Sequence, residues 1–286
     1  MKSKSLLSDN QRNEFTRNGV LVIKNFYDLE QDILPIQKAI YEIIGLIFKR
    51  QNIHIDRAEF SPENFDAGFQ QLIALDRTFG SEIYDAVKQI PSFVRLLTHS
   101  LHEELLLELR TGAFPAIAAG GYGIRIDNPN EDQFRANWHQ EYPAQLRSLD
   151  GLVYWSSLVT MTELMGPVEF CLGSHREGPV PVFTQNSKTA DKTGAYSLVL
   201  KNEEVLLEKY THIAPLTEPG DLVIIDFLVL HASGLNRSLR ARWSMQFRYF
   251  NFNEPAGLAN GWKGSYAAGV DFKKVHPELC VDKGEE

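Results

Sequence analysis

Cysteine is nearly absent from this chain: Cys171 and Cys280 are the only two in 286 residues. Two thiols give neither a disulfide framework nor a thiolate metal cluster. Long apolar runs are also missing; none approaches the ~18 residues of a membrane span, so no membrane partner is expected. The first ten residues are polar and lack the apolar core of a secretory signal, and the expected location is cytoplasmic. An excess of positive charge is missing too. The formal charge is −8, which argues against nucleic acid as a partner. No internal repeat, low-complexity tract or linker is visible. What remains is an ordinary globular composition, 43% hydrophobic and 23% charged, long enough for a sizeable core.

The first third reads as helical. Ser8-Asp9-Asn10-Gln11 starts a helix that runs to about Asn18, and Gly19 breaks it before a strand over 20–24. Ile33, Ile36, Ile40, Ile43, Ile44 and Ile47 recur at three- and four-residue spacing, which predicts a helix over 29–50. Residues 51–64 read as a loop. A helix over 65–90, interrupted at Gly80, is followed after Pro91 by another over 92–110. His99 and His102 sit three apart on that last helix. No third ligand lies near them in sequence, so they are assigned to its surface. After Gly120-Gly121 the pattern changes to strands, over about 122–126, 151–161, 168–172, 197–200, 210–214, 222–230 and 243–252. His175 falls in the turn Gly173-Ser174-His175-Arg176, and a structural role is expected for it. Residues 182–195 are polar and rich in Lys, Thr and Ser, and are expected to form a flexible lid. Helices followed by short strands predict a barrel or sandwich flanked by helices.

The chemistry-bearing stretch is Ala136-Asn137-Trp138-His139-Gln140-Glu141-Tyr142-Pro143. His139 and Glu141 share a face if the backbone there is extended, and Pro143 disfavours helix for the residue before it. The best third ligand is His231, 92 residues after His139, at the end of the apolar run 222–230. Two His and one carboxylate leave three positions open on a metal, which suits non-haem Fe(II) and oxygen chemistry. Further on, Arg242, Ser244, Gln246 and Arg248 alternate with Trp243, Met245, Phe247 and Tyr249. The polar face is either the wet side of a sheet or the lining of a barrel interior. In the second case an Arg beside a metal would bind a carboxylate through its planar fork.

Four segments, in this order, resemble the phytanoyl-CoA dioxygenase-like branch of the Fe(II)/2-oxoglutarate-dependent oxygenases. They are Trp138-His139-Gln140-Glu141, then Gly166-Pro167-Val168-Glu169-Phe170-Cys171-Leu172-Gly173-Ser174-His175, then Pro219-Gly220-Asp221, then His231-Ala232-Ser233-Gly234 with Asn236-Arg237-Ser238 and Arg242. Phe15, Asn18-Gly19-Val20 and Asn25-Phe26 resemble the family's opening strand. The resemblance implies an α+β fold with a mostly β core: a double-stranded β-helix (jelly roll, cupin-like) with N-terminal flanking helices. It implies one oxygenase domain over 1–286, with a helical flank and one strand over about 1–118, the β-helix core over about 119–255 and a C-terminal extension over about 256–286.

By the same resemblance, His139, Glu141 and His231 match the iron ligands. Arg242, eleven residues past His231, matches the arginine that pairs with the distal carboxylate of 2-oxoglutarate. Ser233 matches a hydroxyl that assists it, and Trp155 falls on a strand near the site. The family's usual carboxylate is Asp; Glu141 is one methylene longer. A carboxylate at that position argues for hydroxylation over halogenation, because relatives that leave room for halide carry Gly or Ala there. The implied activity is hydroxylation of a small molecule of sugar, amino-acid or natural-product type, with Fe(II), 2-oxoglutarate and O2, release of succinate and CO2, and ascorbate as an aid. Arg125 and Gln246 are candidates for the substrate or cosubstrate pocket, with surface or structural roles as the alternative, and Arg147 and Gln145 are weaker candidates for an anionic substrate group. No basic cluster suited to a CoA phosphate is present, which disfavours a thioester substrate. The competing reading is a non-catalytic or isomerase-type cupin-like metal-binding β-barrel; Ser233 and Arg242 at family spacing from His231 favour the oxygenase. Nothing in the sequence speaks to oligomeric state.

Overall fold

Apolar residues recur at helical spacing in the first third of the chain and alternate with polar ones in the rest, and the backbone follows both patterns. A computed structural model describes residues 5–183, 198–264 and 271–281. Six helices come first: α1 Asp9–Asn18, α2 Leu34–Arg50, α3 Phe69–Leu75, α4 Thr78–Ala86, α5 Pro91–Leu97 and α6 Ser100–Leu109. Helix α1 opens with a capping box of Ser8 and Gln11 and ends at Gly19, whose φ is 72. A Cβ on Gly19 would meet His175 Nδ1 and Val229 at 2.4 Å, so this turn needs glycine on both counts.

Two helix boundaries differ from expectation. The helix expected over 65–90 is two helices, and the break falls at Asp76 rather than Gly80, which is buried inside α4. Asp76 is extended, and its carboxylate accepts from the Thr78 N–H at 2.8 Å. The helix expected over 92–110 also splits, because His99 caps α6 by accepting from the Leu101 N–H at 3.2 Å. His102, assigned to a surface, is buried. Its Nε2 lies 2.7 Å from the Tyr27 hydroxyl, and its ring stacks on Tyr154 with centroids 4.8 Å apart. Burial pushes the His102 imidazole down to about 3.

The strands are β1 Val20–Ile23, β2 Pro115–Ile117, β3 Gly123–Asp127, β4 Leu152–Ser157, β5 Val168–Cys171, β6 Val182–Phe183, β7 Val199–Leu200, β8 His212–Ile213, β9 Leu222–Asp226, β10 His231–Ser233, β11 Arg242–Asn251 and β12 Cys280–Val281. The largest sheet runs β1-β9-β4-β11-β2, with β3 also paired to β11. A second sheet is β10-β5-β8 and a third is β12-β6-β7. This is the jelly-roll core that was expected, wrapped by the N-terminal helices; among the described residues no sheet closes into a barrel. The expected strand 222–230 is interrupted after Asp226. The Asp226 carboxylate accepts from the Leu228 N–H and its carbonyl from the Val229 N–H, so His231 begins a new strand instead of ending an old one. The expected strand 151–161 stops at Ser157, whose hydroxyl turns back onto Val159. Of the expected lid, Val182 and Phe183 form β6, and 184–195 lie outside the described residues. No described helix is long and apolar enough to cross a membrane.

Strand β11 organises the site because its two faces do different work. Trp243 packs edge-on against Phe65 and Phe69, and Phe247 against Phe93 and His102. Burial of a Phe of this kind stabilises the fold by about 1.5–3 kcal/mol. The opposite face carries Arg242, Ser244, Gln246 and Arg248 toward a cavity of about 680 Å³. Of the two readings left open by alternation, the polar face is therefore a lining, not a wet exterior. Register fixes its neighbours: Gln246 stands opposite Trp155 on β4, and Arg242 opposite Asp127 on β3.

Candidate metal centre

His139 and His231 are brought together by backbone pairing. The His139 N–H donates to the His231 carbonyl and the His231 N–H to the His139 carbonyl, both at 3.0 Å. Their rings then lie with centroids 4.2 Å apart. Each Nδ1 is tied to a backbone carbonyl: His139 to Asn137 at 2.7 Å and His231 to Val229 at 2.9 Å. A carbonyl can only accept, so Nδ1 carries the hydrogen and Nε2 keeps its lone pair. Burial pushes both imidazoles toward the neutral form, His231 down to about 3, which is the form that ligates a metal.

Glu141 completes the group. Ligand atoms of His139, Glu141 and His231 all lie within 4.8 Å of one another. The expected extended path from 139 to 141 is corrected by the structure. Glu141 has helical φ and ψ and precedes a short helix, α7 Tyr142–Gln145, with Pro143 in its first turn. Proline is tolerated there because that N–H has no intrahelical partner. The carboxylate thus reaches the imidazoles from the start of a helix, not along a strand.

A network holds this carboxylate from behind. Arg248 Nε and Nη2 donate to Glu141 Oε1 and Oε2 at 2.6 and 3.2 Å, and Gln145 Nε2 donates to Oε1 at 3.1 Å. Arg147 donates to Gln145 Oε1 at 2.8 Å and to the Ala119 carbonyl at 2.7 Å. Gln246 Oε1 accepts from Arg248 at 2.8 Å. Burial opposes ionisation of Glu141, but Arg248 and the two imidazoles outweigh it and hold the carboxyl down at about 2. Gln145 and Arg147, expected as pocket candidates, here support Glu141. Arg147 is buried and does not line the cavity, which corrects its assignment as a contact for substrate. Arg248 was passed over in the sequence, although its place on the polar face of β11 was the available signal.

The other end of the β11 polar face is arranged differently. Arg242 is 1% exposed; its Nη2 lies 2.9 Å from Asp127 Oδ2 and its Nη1 donates to the Gly166 carbonyl. Arg125 shares Asp127 at 2.8 Å and also donates to the Phe134 carbonyl. Burial opposes ionisation of Asp127, yet the two guanidiniums keep its pKa below the ordinary value. Arg242 Nε and Ser244 Oγ are buried without a hydrogen-bond partner among the described residues. Ser233 lines the cavity from β10 and Trp155 from β4. The donor set fits the implied groups: three ligands with preset tautomers for a divalent iron, and buried donors lacking an acceptor for a carboxylate.

A sequence model of the family described as phytanoyl-CoA dioxygenase matches residues 15–244. No curated protein matches the sequence. Solved structures with a similar fold include EctD from S. alaskensis with bound Fe, at 15% identity and a TM-score of 0.56, over 90% of this chain and 82% of that one. The epimerase SnoN from nogalamycin biosynthesis, in complex with Fe3+, alpha ketoglutarate and nogalamycin RO, is 16% identical over 92% of this chain and 91% of that one, with a TM-score of 0.55. The carbocyclase SnoK from nogalamycin biosynthesis is 15% identical over 86% and 85%, with a TM-score of 0.56. At these identities the likeness is one of fold.

Proposed function

The chain belongs to the phytanoyl-CoA dioxygenase family, and from that premise we propose that it is an iron- and 2-oxoglutarate-dependent oxygenase that hydroxylates a small molecule, with release of succinate and CO2. The observation that carries the reading is the group His139, Glu141 and His231, with ligand atoms within 4.8 Å and both Nδ1 atoms already engaged by carbonyls. Iron held by these three residues, with 2-oxoglutarate and O2 as co-reactants, would supply the oxidant for the C–H bond. The chain's own residues do the rest. His139 and His231 stay neutral as ligands, and Arg248 with Gln145 fixes the Glu141 carboxylate. Arg242, helped by Ser233, takes the distal carboxylate of 2-oxoglutarate; the unpartnered Arg242 Nε and Ser244 Oγ support that role. Val153, Trp155 and Ile225 give the cavity floor an apolar surface that excludes water. Arg125 holds Asp127 in place, and Gln246 steadies Arg248. The same reading takes residues 1–286 as one oxygenase domain, supported by a core that includes both Leu7 and Phe272.

Small-molecule hydroxylation is also the reading in keeping with EctD, whose structure was solved with 2-oxoglutarate and 5-hydroxyectoine. SnoN and SnoK are named as an epimerase and a carbocyclase, so product mass is the deciding measurement. Hydroxylation adds one oxygen atom, epimerisation leaves the mass unchanged, and ring closure removes two hydrogens. The first test is succinate formation from 2-oxoglutarate with Fe(II), ascorbate and O2, beside an anaerobic absorbance titration of the iron and 2-oxoglutarate complex. A metal-holding barrel without this chemistry would give neither the complex nor succinate.

A further inference from the structure

The chain is acidic, with a net charge of −8, but its cavity is not. Five cations line it, Lys88, Arg125, Arg135, Arg242 and Arg248, and Glu141 is the only carboxylate among the described lining residues. These cations come from four separate stretches of the sequence, around residues 88, 125, 135 and 242–248, which is why no basic cluster was visible there. Charge accounting shows what they leave over, on the oxygenase reading above. Arg248 is matched by Glu141, and Lys88 by Asp85 at 2.9 Å. Arg125 and Arg242 both pair with Asp127. A divalent iron and doubly charged 2-oxoglutarate cancel each other. The charge of Arg135 remains.

Arg135 is the cation whose position assigns it to something else. It is half-buried and lies within 4 Å of no carboxylate among the described residues; its charge is felt by Asp132, which pairs with Arg237, and its Nη2 makes a weak contact to Asn137 Oδ1 at 3.5 Å. It stands four residues before His139. The segment between is held against β10, where the Ser233 N–H donates to the Ala136 carbonyl at 3.0 Å. The Arg135 backbone is therefore fixed relative to the metal ligands, and the residue lines the cavity. Other parts of the lining are apolar: Trp138, Val168, Val182, Leu198 and Leu200. A cation beside an apolar wall suits an anion with an apolar body.

We infer that the substrate is a small amphipathic anion, a molecule with an apolar body and a carboxylate or phosphate group, and that Arg135 binds that group while the apolar wall takes the body. This rests on the oxygenase reading of the same site. The test uses hexanoate, hexyl phosphate and neutral hexanamide as probes. They are titrated anaerobically into the full chain with Fe(II) and excess 2-oxoglutarate, and read by quenching of Trp138 and Trp155 fluorescence. The expected result is at least tenfold tighter binding of one anion than of hexanamide, and which anion wins separates carboxylate from phosphate. Arg135→Gln should abolish the preference, with hexanamide unaffected, and Arg135→Lys should retain most of it. Equal binding of all three probes, or a preference that survives Arg135→Gln, overturns the inference. Absorbance of the iron and 2-oxoglutarate complex is recorded in the same cuvette. Its absence together with an Arg135-dependent preference would sink the oxygenase reading and leave the anion site standing.

Discussion

Arg248 and Arg242 stand on one face of one strand, six residues apart, and their surroundings differ in kind. At the Arg248 end the donors meet acceptors inside the protein. Glu141 takes three hydrogen bonds, two from Arg248 and one from Gln145, and Arg147 and Gln246 brace these two side chains. At the Arg242 end two guanidiniums share one aspartate, and two buried donors, Arg242 Nε and Ser244 Oγ, have no acceptor among the described residues. Buried polar groups without a partner are costly. A satisfied network is preorganised for a metal ligand, and an unsatisfied one is prepared for an acceptor that arrives from outside.

The comparison can be broken most severely at Glu141. Glu141→Ala deletes a ligand and breaks its buried pair with Arg248, and breaking a buried pair from one side costs about 3–5 kcal/mol. Urea unfolding should show a loss of that order, and iron titration should show no stoichiometric site. Undiminished iron binding would remove Glu141 from the ligand set. Arg242→Ala should act only at the other end. Truncating one partner of a buried charge pair costs about 2–5 kcal/mol, which should appear as weaker 2-oxoglutarate binding with iron binding intact. If 2-oxoglutarate affinity is unchanged, another arginine holds the cosubstrate.

The third change separates support from ligation. Arg248→Met leaves Glu141 in place but removes its clamp. Outer-shell partners of metal ligands are worth about 10–100-fold in metal affinity, so a loss in that range is expected, read by competition with a chelator. The back face of β11 supplies the smallest effect. His102 sits at about 3 instead of 6.5, so the unfolded chain takes up a proton that the folded state refuses. Stability should fall as pH drops from about 6.5 toward 3. Comparing urea midpoints at pH 7 and pH 5, His102→Gln should flatten the slope; equal slopes in both proteins would show that other groups carry it.

How much of this could be read in advance follows the range of the interaction concerned. His139, Glu141 and His231 were legible because residue type and order survive without coordinates, and the period-two alternation of 242–249 was legible because it is local. The break at Asp76 was missed because Gly80 looked like the stronger breaker, whereas the Asp76 carboxylate capping Thr78 decided the boundary. His99 was missed as a cap because imidazole rarely serves as one. The pairing of Arg248 with Glu141 spans 107 residues. Periodicity put Arg248 on the right face, but only the register of β11 against β4 and the bend at Glu141 determine which cation meets which anion.

A crystal structure with iron and 2-oxoglutarate bound tests the central claim most directly. The account predicts one ion with His139 Nε2, His231 Nε2 and a Glu141 oxygen at about 2.0–2.2 Å, no fourth protein ligand, and the distal carboxylate of 2-oxoglutarate on Arg242. An ion more than about 4 Å from either imidazole, well beyond any coordination distance, would contradict it.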